Sequence, residues 1–426
     1  MPHSVLAILI LLIVVCAFVL QKFPVSVAAL LGALAMMAFG ILTPSEAISS
    51  FGSDAVIMVA GVMVIGNAVF ESGLAERLGD AILRFRPAAR SERCFMVIIL
   101  ALIAFLSAFM SNTAAVAMFM PLVSSVARAS KGRIKKKNLF MAMGIASILG
   151  GNCTLAGSTP QLTAQGILEN TPGVRTLTFF ELAYIGVPLV LLMLFYYATV
   201  GATLQEKVFR FPEPVEEGPG REIRENRDAG HKALLSGIIL LACMAAFAAG
   251  VFSLGTVALL GACLCILTGC ITCRKAFQSM DWSTITVLAG AMGFSKGLQK
   301  SGAVDLIAER MLALFGGPEA NPALMCAALI ILASILGNVM SHTATVAVLT
   351  PIAISLAAAL STQPITYVIG VVIGSNLAFA TPIATPPLTM TLCAGYRFLD
   401  YSKVGGALNV VTVLFAAAAI PVIYGL

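Results

Sequence analysis

Charge is what this sequence has least of. Only 11% of its 426 residues are Asp, Glu, Lys or Arg, against about a quarter in soluble domains. By contrast 59% are hydrophobic, and the mean hydropathy is +0.98. That scarcity excludes an ordinary soluble enzyme and a disordered chain. Tryptophan occurs once and histidine three times. The ten cysteines sit mostly in runs such as LLGACLCILTGCITC, with no His or carboxylate beside them. Cys263, Cys265, Cys270 and Cys273 therefore read as small apolar residues of a spanning helix rather than as metal ligands or disulfide partners. The net charge of +6 is spread through loops without interleaved aromatics, so nucleic acid is not an expected partner. The first apolar run, Ser4–Leu20, lacks a basic flank and an A-x-A cleavage site and reads as a helix, not a leader.

What the sequence has in plenty is long apolar stretches. A membrane-spanning helix needs roughly 20 apolar residues, and such stretches fall near 4–20, 25–42, 54–74, 94–127, 138–169 and 178–204, then, past a polar linker, near 233–250, 254–272, 283–299, 323–360, 364–395 and 405–425. The expected fold is an all-α polytopic membrane protein, with the lipid bilayer as partner. The two halves also share sequence. VAGVMVIGNAVFESGLAERL, from Val59, aligns with LAGAMGFSKGLQKSGAVDLI, from Leu288, pairing Gly61 with Gly290 and Glu71 with Lys300. SNTAAVAMFMPL, from Ser111, aligns with SHTATVAVLTPI, from Ser341, pairing Pro121 with Pro351. An internal duplication follows: a first repeat over 1–205, a linker over 206–231 and a second repeat over 232–426.

Suppose each half has five crossings and one segment that returns to its starting side. Every Lys and Arg then shares one face except Arg175, Lys296, Lys300 and Arg310. The positive-inside tendency makes the rich face cytoplasmic and puts both termini outside. Five is odd, so the second repeat is inverted relative to the first, with about ten transmembrane helices plus two re-entrant hairpins in all, an arrangement met in secondary transporters.

Two segments in each half are unlike plain spanning helices. In 94–130 an apolar arm ends at Ser111-Asn112-Thr113, and the second arm, Ala114–Ala127, covers only about 21 Å of a roughly 30 Å core. Its counterpart, 322–360, carries Ser341-His342-Thr343 at the apex. Its arms are longer, and two full crossings would preserve the same parity. In 138–169 the run Gly150-Gly151-Asn152 through Gly157-Ser158-Thr159-Pro160-Gln161 should unwind the helix. In 364–395 the partner runs from Ser375-Asn376 to Ala384-Thr385-Pro386-Pro387. Interrupted helices at matching places in two halves point to a transport site. Helix starts exposed at apices and breaks attract an anion, while freed carbonyls and Ser, Thr and Asn oxygens suit a hard cation such as Na⁺. These segments contain no Asp, Glu, Lys or Arg, whereas a proton pump would usually show an intramembrane carboxylate. Helix packing is the competing reading of any one motif; four motifs at paired positions favour a site. Neither a metal cluster nor an acid/base pair that would mark an enzyme is present in the pattern.

On these hairpin tips and Thr-Pro breaks, the whole chain resembles the divalent anion/sodium symporter family. The resemblance implies a homodimer in which a mobile domain travels like an elevator against a scaffold. It implies secondary active transport of a small divalent anion, a di- or tricarboxylate, coupled to Na⁺. A sodium-independent or proton-influenced exchanger, or a carrier of sulfate or another oxyanion, is the alternative. Position by position, the first sodium site would involve Ser107, Ser111, Asn112 and Gly157. The anion would be held by Asn112, Thr113, Ser158 and Thr159 from the first half, and by Ser341, His342, Thr343, Thr385 and Pro386 from the second. A second sodium site would fall around Gly337, Met340, His342 and Ala384. This sequence departs from the family in having His342 at the second tip, Gln161 and Leu388 where the breaks usually have Asn, and Gly337 without a hydroxyl; its pattern of ten expected crossings is also without the family's common extra first helix. His342 is either a neutral imidazole donating to a nearby carbonyl, or a proton carrier that replaces a sodium charge or meets the anion. Asp54, Glu71, Glu181 and Asp281 read as residues at helix ends, and the amphipathic Leu74–Arg86 and Ala303–Leu314 as helices along the membrane surface linking scaffold to moving domain.

Overall fold

The structure, a computed structural model, describes residues 2–20, 22–73, 91–130, 132–211, 229–315, 317–382 and 385–426. Ala384, the amphipathic segment read over 74–86 and most of the 206–231 linker lie outside the described residues. Among the described residues every regular element is a helix. Seven stretches of the described residues are long and apolar enough to cross a membrane: His3–Leu20, Pro44–Glu71, Ala183–Val208, His231–Ala249, Pro322–Val339, His342–Ala359 and Phe398–Tyr424. Val25–Ala38, Leu254–Leu267 and Pro364–Asn376 are apolar but shorter. Large apolar side chains such as Ile13, Phe195, Leu241 and Val422 stand exposed on the outer faces, as lipid-facing surfaces require.

One order of elements is met twice. It runs His3–Leu20, Val25–Ala38 and Asp54–Glu71, then a hairpin of Glu92–Ser107 and Asn112–Ala129, then a broken helix of Lys136–Gly151 and Thr159–Glu169, then Ala183–Tyr196. The second round has Ala229–Ala249, Leu254–Leu267 and Trp282–Lys300, the connecting helix Ala303–Leu314, a hairpin of Pro322–Val339 and His342–Ala359, a broken helix of Pro364–Asn376 and Pro386–Thr391, and Phe398–Tyr424. The second helix of each round packs on the third of the other: Val25–Ala38 on Trp282–Lys300, and Leu254–Leu267 on Asp54–Glu71. The aligned glycines explain the closeness. A Cβ on Gly61 would lie 2.6 Å from the Ala258 carbonyl, and one on Gly290 would lie 2.8 Å from the Leu30 nitrogen. Each third helix then ends in an ion pair to the short helix of the other round, with the charges exchanged: Glu71 with Lys275, and Lys300 with Glu46 at 2.8 Å.

The hairpins and broken helices interlock around the middle of the molecule. Glu92–Ser107 lies along Lys136–Gly151, and Pro322–Val339 along Pro364–Asn376. Again glycine permits the approach: a Cβ on Gly150 would sit 2.1 Å from the Ala104 carbonyl oxygen, and one on Gly374 2.6 Å from that of Ile330. The far limbs are exchanged between rounds. Thr159–Glu169 packs on His342–Ala359, and Pro386–Thr391 on Asn112–Ala129. That exchange brings both tips and both breaks to one place.

Candidate functional site

At each tip a serine starts the second arm. Ser111 Oγ accepts from the Ala114 nitrogen and Ser341 Oγ from the Ala344 nitrogen, both at 3.2 Å. At each break the helix restarts on a Thr-Pro or Pro-Pro pair, preceded by an extended residue, Ser158 or Thr385, that makes no side-chain cap. Proline fits there because the first turn has no use for its missing N–H. Positively polarised backbone thus faces a cavity of about 530 Å³ from both halves.

The cavity collects the residues expected to hold the anion. Asn112 and Thr113 line it from the first tip, Ser341, His342 and Thr343 from the second. Ser158 and Thr159 line it at one break, Thr385 and Pro386 at the other. The opposite wall is largely apolar, with Val59, Val62 and Met63 beside Asn67 of Asp54–Glu71. No Lys or Arg is among the described lining residues, and Asp281 is the one carboxylate. Asp281 is spent as a helix cap: Oδ1 accepts from the Ser283 and Thr284 nitrogens at 3.0 and 3.2 Å, and Oδ2 from Thr284 Oγ1 at 2.6 Å. Two polar atoms at the site are buried without a partner, His342 Nε2 and Thr385 Oγ1.

Behind the first tip lies a cluster of oxygens. The fully buried Ser107 donates through Oγ to the Ser147 carbonyl at 2.7 Å, and the end of the Asn112 amide lies at the same distance from that Oγ. The same end of the Asn112 amide lies 3.0 Å from the carbonyl oxygens of Ser147 and Gly157. Turned over, the amide would instead donate to all three oxygens. Of the expected first-site residues, the structure brings Ser107, Asn112 and Gly157 together, while Ser111 uses its hydroxyl oxygen as a cap. The Ser147 carbonyl completes the group; a backbone oxygen leaves no mark in a sequence. Hard oxygens without a competing cationic side chain fit Na⁺.

The expected second site is built differently. Gly337 presents no side-chain oxygen, and a Cβ there would meet the Ser375 carbonyl oxygen at 2.6 Å. Met340 is buried with a soft thioether as its side chain, and Ala384 lies outside the described residues. The unwound backbone is instead pinned by asparagines that the sequence reading passed over. Asn338 Oδ1 accepts from the Ala380 nitrogen at 2.9 Å, and Asn409 Nδ2 donates to the Leu377 carbonyl at 2.8 Å. Asn409, a lone amide in the apolar run 405–425, was the available signal.

The two breaks are tied to each other through buried amides. Asn376 Nδ2 donates to Asn152 Oδ1 at 2.6 Å, and Gln161 Nε2 donates to the Gly151 carbonyl at 3.0 Å and to Asn152 Oδ1 at 3.3 Å. Ser158 donates to Gln161 Oε1. Gln161 is thus a staple across its own break rather than a lining residue. Leu388, fully buried, packs on Gly144.

A family model described as a citrate transporter matches residues 15–362 and again 244–425. The chain belongs to the citrate transporter family. An uncharacterized transporter of Haemophilus influenzae is 27% identical over 92% of this chain and 86% of its own. The sodium-dependent dicarboxylate transporter SdcS of Staphylococcus saprophyticus is 22% identical over 96% of this chain and 85% of its own. Among solved structures, the YdaH transporter of Alcanivorax borkumensis superposes with a TM-score of 0.62 at 12% identity, over 90% of this chain and 88% of that one. MtrF of Neisseria gonorrhoeae gives 0.57 at 14% identity, over 88% and 82%. At such identities the likeness is one of fold. This citrate transporter family member is therefore an integral membrane transporter with a small anionic substrate.

Proposed function

We propose that the protein is a sodium-coupled secondary transporter of a small divalent anion, a di- or tricarboxylate, working at the cytoplasmic membrane. The observation that carries this reading is the cavity in which both tips and both breaks meet with no Lys or Arg among the described lining residues. Backbone N–H groups, amides and hydroxyls there complement a carboxylate, and the oxygen cluster behind Asn112 gives a cation a place beside it. The SdcS relatives support both the anion class and sodium. The imidazole at the second tip supports one alternative, a sodium-independent or proton-influenced exchanger.

The architecture in this reading is a pair of inverted repeats, 1–205 and 232–426, working as an elevator in a homodimer. The exchanged packing of the two rounds supports the inversion. Ties between loops also agree with the charge-based topology, since Glu71–Lys275 and Tyr396 with the Lys137 carbonyl join segments assigned to one face, and Lys300–Glu46 and Asp54–Ser253 join segments assigned to the other. Polar contacts between the hairpin–break body and the third helices are long: Thr171 to Gln299 at 3.4–3.5 Å, and the Ala55 nitrogen to Glu169 at 3.4 Å. Such contacts are weak, as a surface that slides needs.

Thermal-shift measurements on purified protein with succinate, citrate and sulfate test the binding step. At least one anion should raise the melting temperature, and more so with Na⁺ than with K⁺. Asn112→Ala should abolish the shift. An unchanged shift in Asn112→Ala, or none with any anion, contradicts the reading.

A further inference from the structure

The two third helices, Asp54–Glu71 and Trp282–Lys300, hold matching places in the two rounds, and their contacts fix the register between them. Gly61 lies against Ala258, and Gly290 against Ala29 and Leu30. Glu71 pairs with Lys275, and Lys300 with Glu46. One offset carries Gly61 to Gly290, Ala29 to Ala258, Glu46 to Lys275 and Glu71 to Lys300. Asn67 lies between Gly61 and Glu71, so the same offset sets Lys296 in its place.

The two helices differ in what covers that face. On the first, Val59, Val62, Met63, Gly66 and Asn67 form a wall of the cavity, completed by Ser279 and Thr284 from the side read as cytoplasmic. On the second, the corresponding Leu288, Ala291, Met292 and Ser295 are buried. The hairpin–break body covers them: a Cβ on Gly166 would lie 2.4 Å from Met292 Sδ, and Thr171 faces Gln299. Ser295 Oγ is left there without a partner. Lys296, half-buried, continues the same face and makes no ion pair or hydrogen bond with other described residues. An ammonium within an expected crossing is costly and marks a functional position more often than a packing one. In the proposed elevator the body leaves one third helix and comes against the other. The cavity that opens beside Asp54–Glu71 then opens beside Trp282–Lys300, on the opposite side of the membrane, and by the register Lys296 stands where Asn67 stood. A site with no Lys or Arg among its described lining residues here gains a cation there.

We infer that Lys296 meets the anion when the site opens to the outer face, and that Asn67 takes its place when the site opens to the cytoplasm. The inference rests on the elevator, inverted repeats and topology proposed above. An ammonium holds a doubly negative solute more tightly than a neutral amide does, so capture is favoured outside and release inside. The test compares the two sides. Uptake of labelled succinate, citrate or sulfate by intact cells reads the outer side, and uptake by inverted membrane vesicles the inner. Lys296→Asn should raise the outer half-saturating concentration about tenfold and weaken its dependence on ionic strength, with the inner value held within about twofold. Lys296→Arg should keep the wild-type outer value, and Asn67→Lys should lower the inner one. Lys296→Gln replaces Lys296→Asn if the latter does not fold. An unchanged outer value in the neutral variant overturns the inference. The elevator is tested separately by Ser295→Cys in a background lacking the native cysteines. It should react with a membrane-impermeant maleimide from outside, and cease to react once a disulfide joins Thr171→Cys to Gln299→Cys. Such reactivity together with an unchanged outer value overturns the role of Lys296 and leaves the elevator standing. No reaction in either arrangement, or no uptake of any of the three anions, overturns the reading and the inference with it.

Discussion

Arg175 and Glu181 show how a residue far from the cavity conditions it. Burial pushes the Glu181 carboxyl up, but hydrogen bonds from Arg175 and Thr178 outweigh that and hold it below the usual carboxylate range. The guanidinium forks onto both carboxylate oxygens, at 2.6 and 3.0 Å. The pair fixes the loop whose Phe179 carbonyl accepts from the Leu155 nitrogen of the first break at 2.9 Å. A carboxyl with a lowered folded pKa contributes stability above its unfolded value, about 4.3, and that contribution is lost as pH falls through the folded value. Arg175→Gln should therefore cost on the order of 0.5–1 kcal/mol near neutral pH, since the half-exposed guanidinium is screened by solvent. Thermal melts of both proteins should converge as pH drops below about 4; a gap that stays constant from pH 7 to pH 3.5 argues against this account. At this scale, what could be read from the sequence was polarity and breakage inside apolar runs. Ser-Asn-Thr, Ser-His-Thr and the Thr-Pro pairs stood out for that reason. Gln161 stood out only as a departure, because its role depends on reaching back to Gly151, and the Ser147 carbonyl was invisible because every residue has one.

The elements are placed by glycines that let backbones touch. Gly150 is the sharpest case, since its added Cβ would fall 2.1 Å from the Ala104 carbonyl oxygen, a backbone atom that cannot swing away. Gly150→Ala should separate the first hairpin from its broken helix, at a cost above the usual overpacking penalty of about 1–3 kcal/mol, and remove anion binding with it. Alanine at the exposed Gly52, where nothing lies within 4 Å, is the control. Equal melting temperatures for the two variants would show that the close contact is not needed. The repeat made much of this level readable in advance, because Gly61 and Gly290 sit at the same place in two aligned stretches. The exchanged ion pairs were half readable. Glu71 aligns with Lys300, an acid with a base, and the structure pairs each with an opposite charge from the other half. Partners 204 and 254 residues apart follow from packing, not from local pattern.

For the molecule as a whole, the proposed elevator reading has the hairpin–break body move against the third helices. Thr171 and Gln299 face each other across that boundary. In a background lacking the native cysteines, a Thr171→Cys/Gln299→Cys pair should cross-link under mild oxidation and arrest transport, with recovery on reduction. Full transport in the cross-linked protein would mean that this boundary does not slide. The all-helical membrane fold was legible from hydropathy alone. The exchanged packing of the two rounds was not, since duplication of sequence does not say how the copies embrace. Counterflow of labelled dicarboxylate in proteoliposomes, with Na⁺ on both sides, tests the central claim most directly. The wild type should accumulate label against unlabelled anion trapped inside, and Asn112→Ala should not. Equal accumulation by both, or none by the wild type with succinate, citrate or sulfate, would contradict the proposed site.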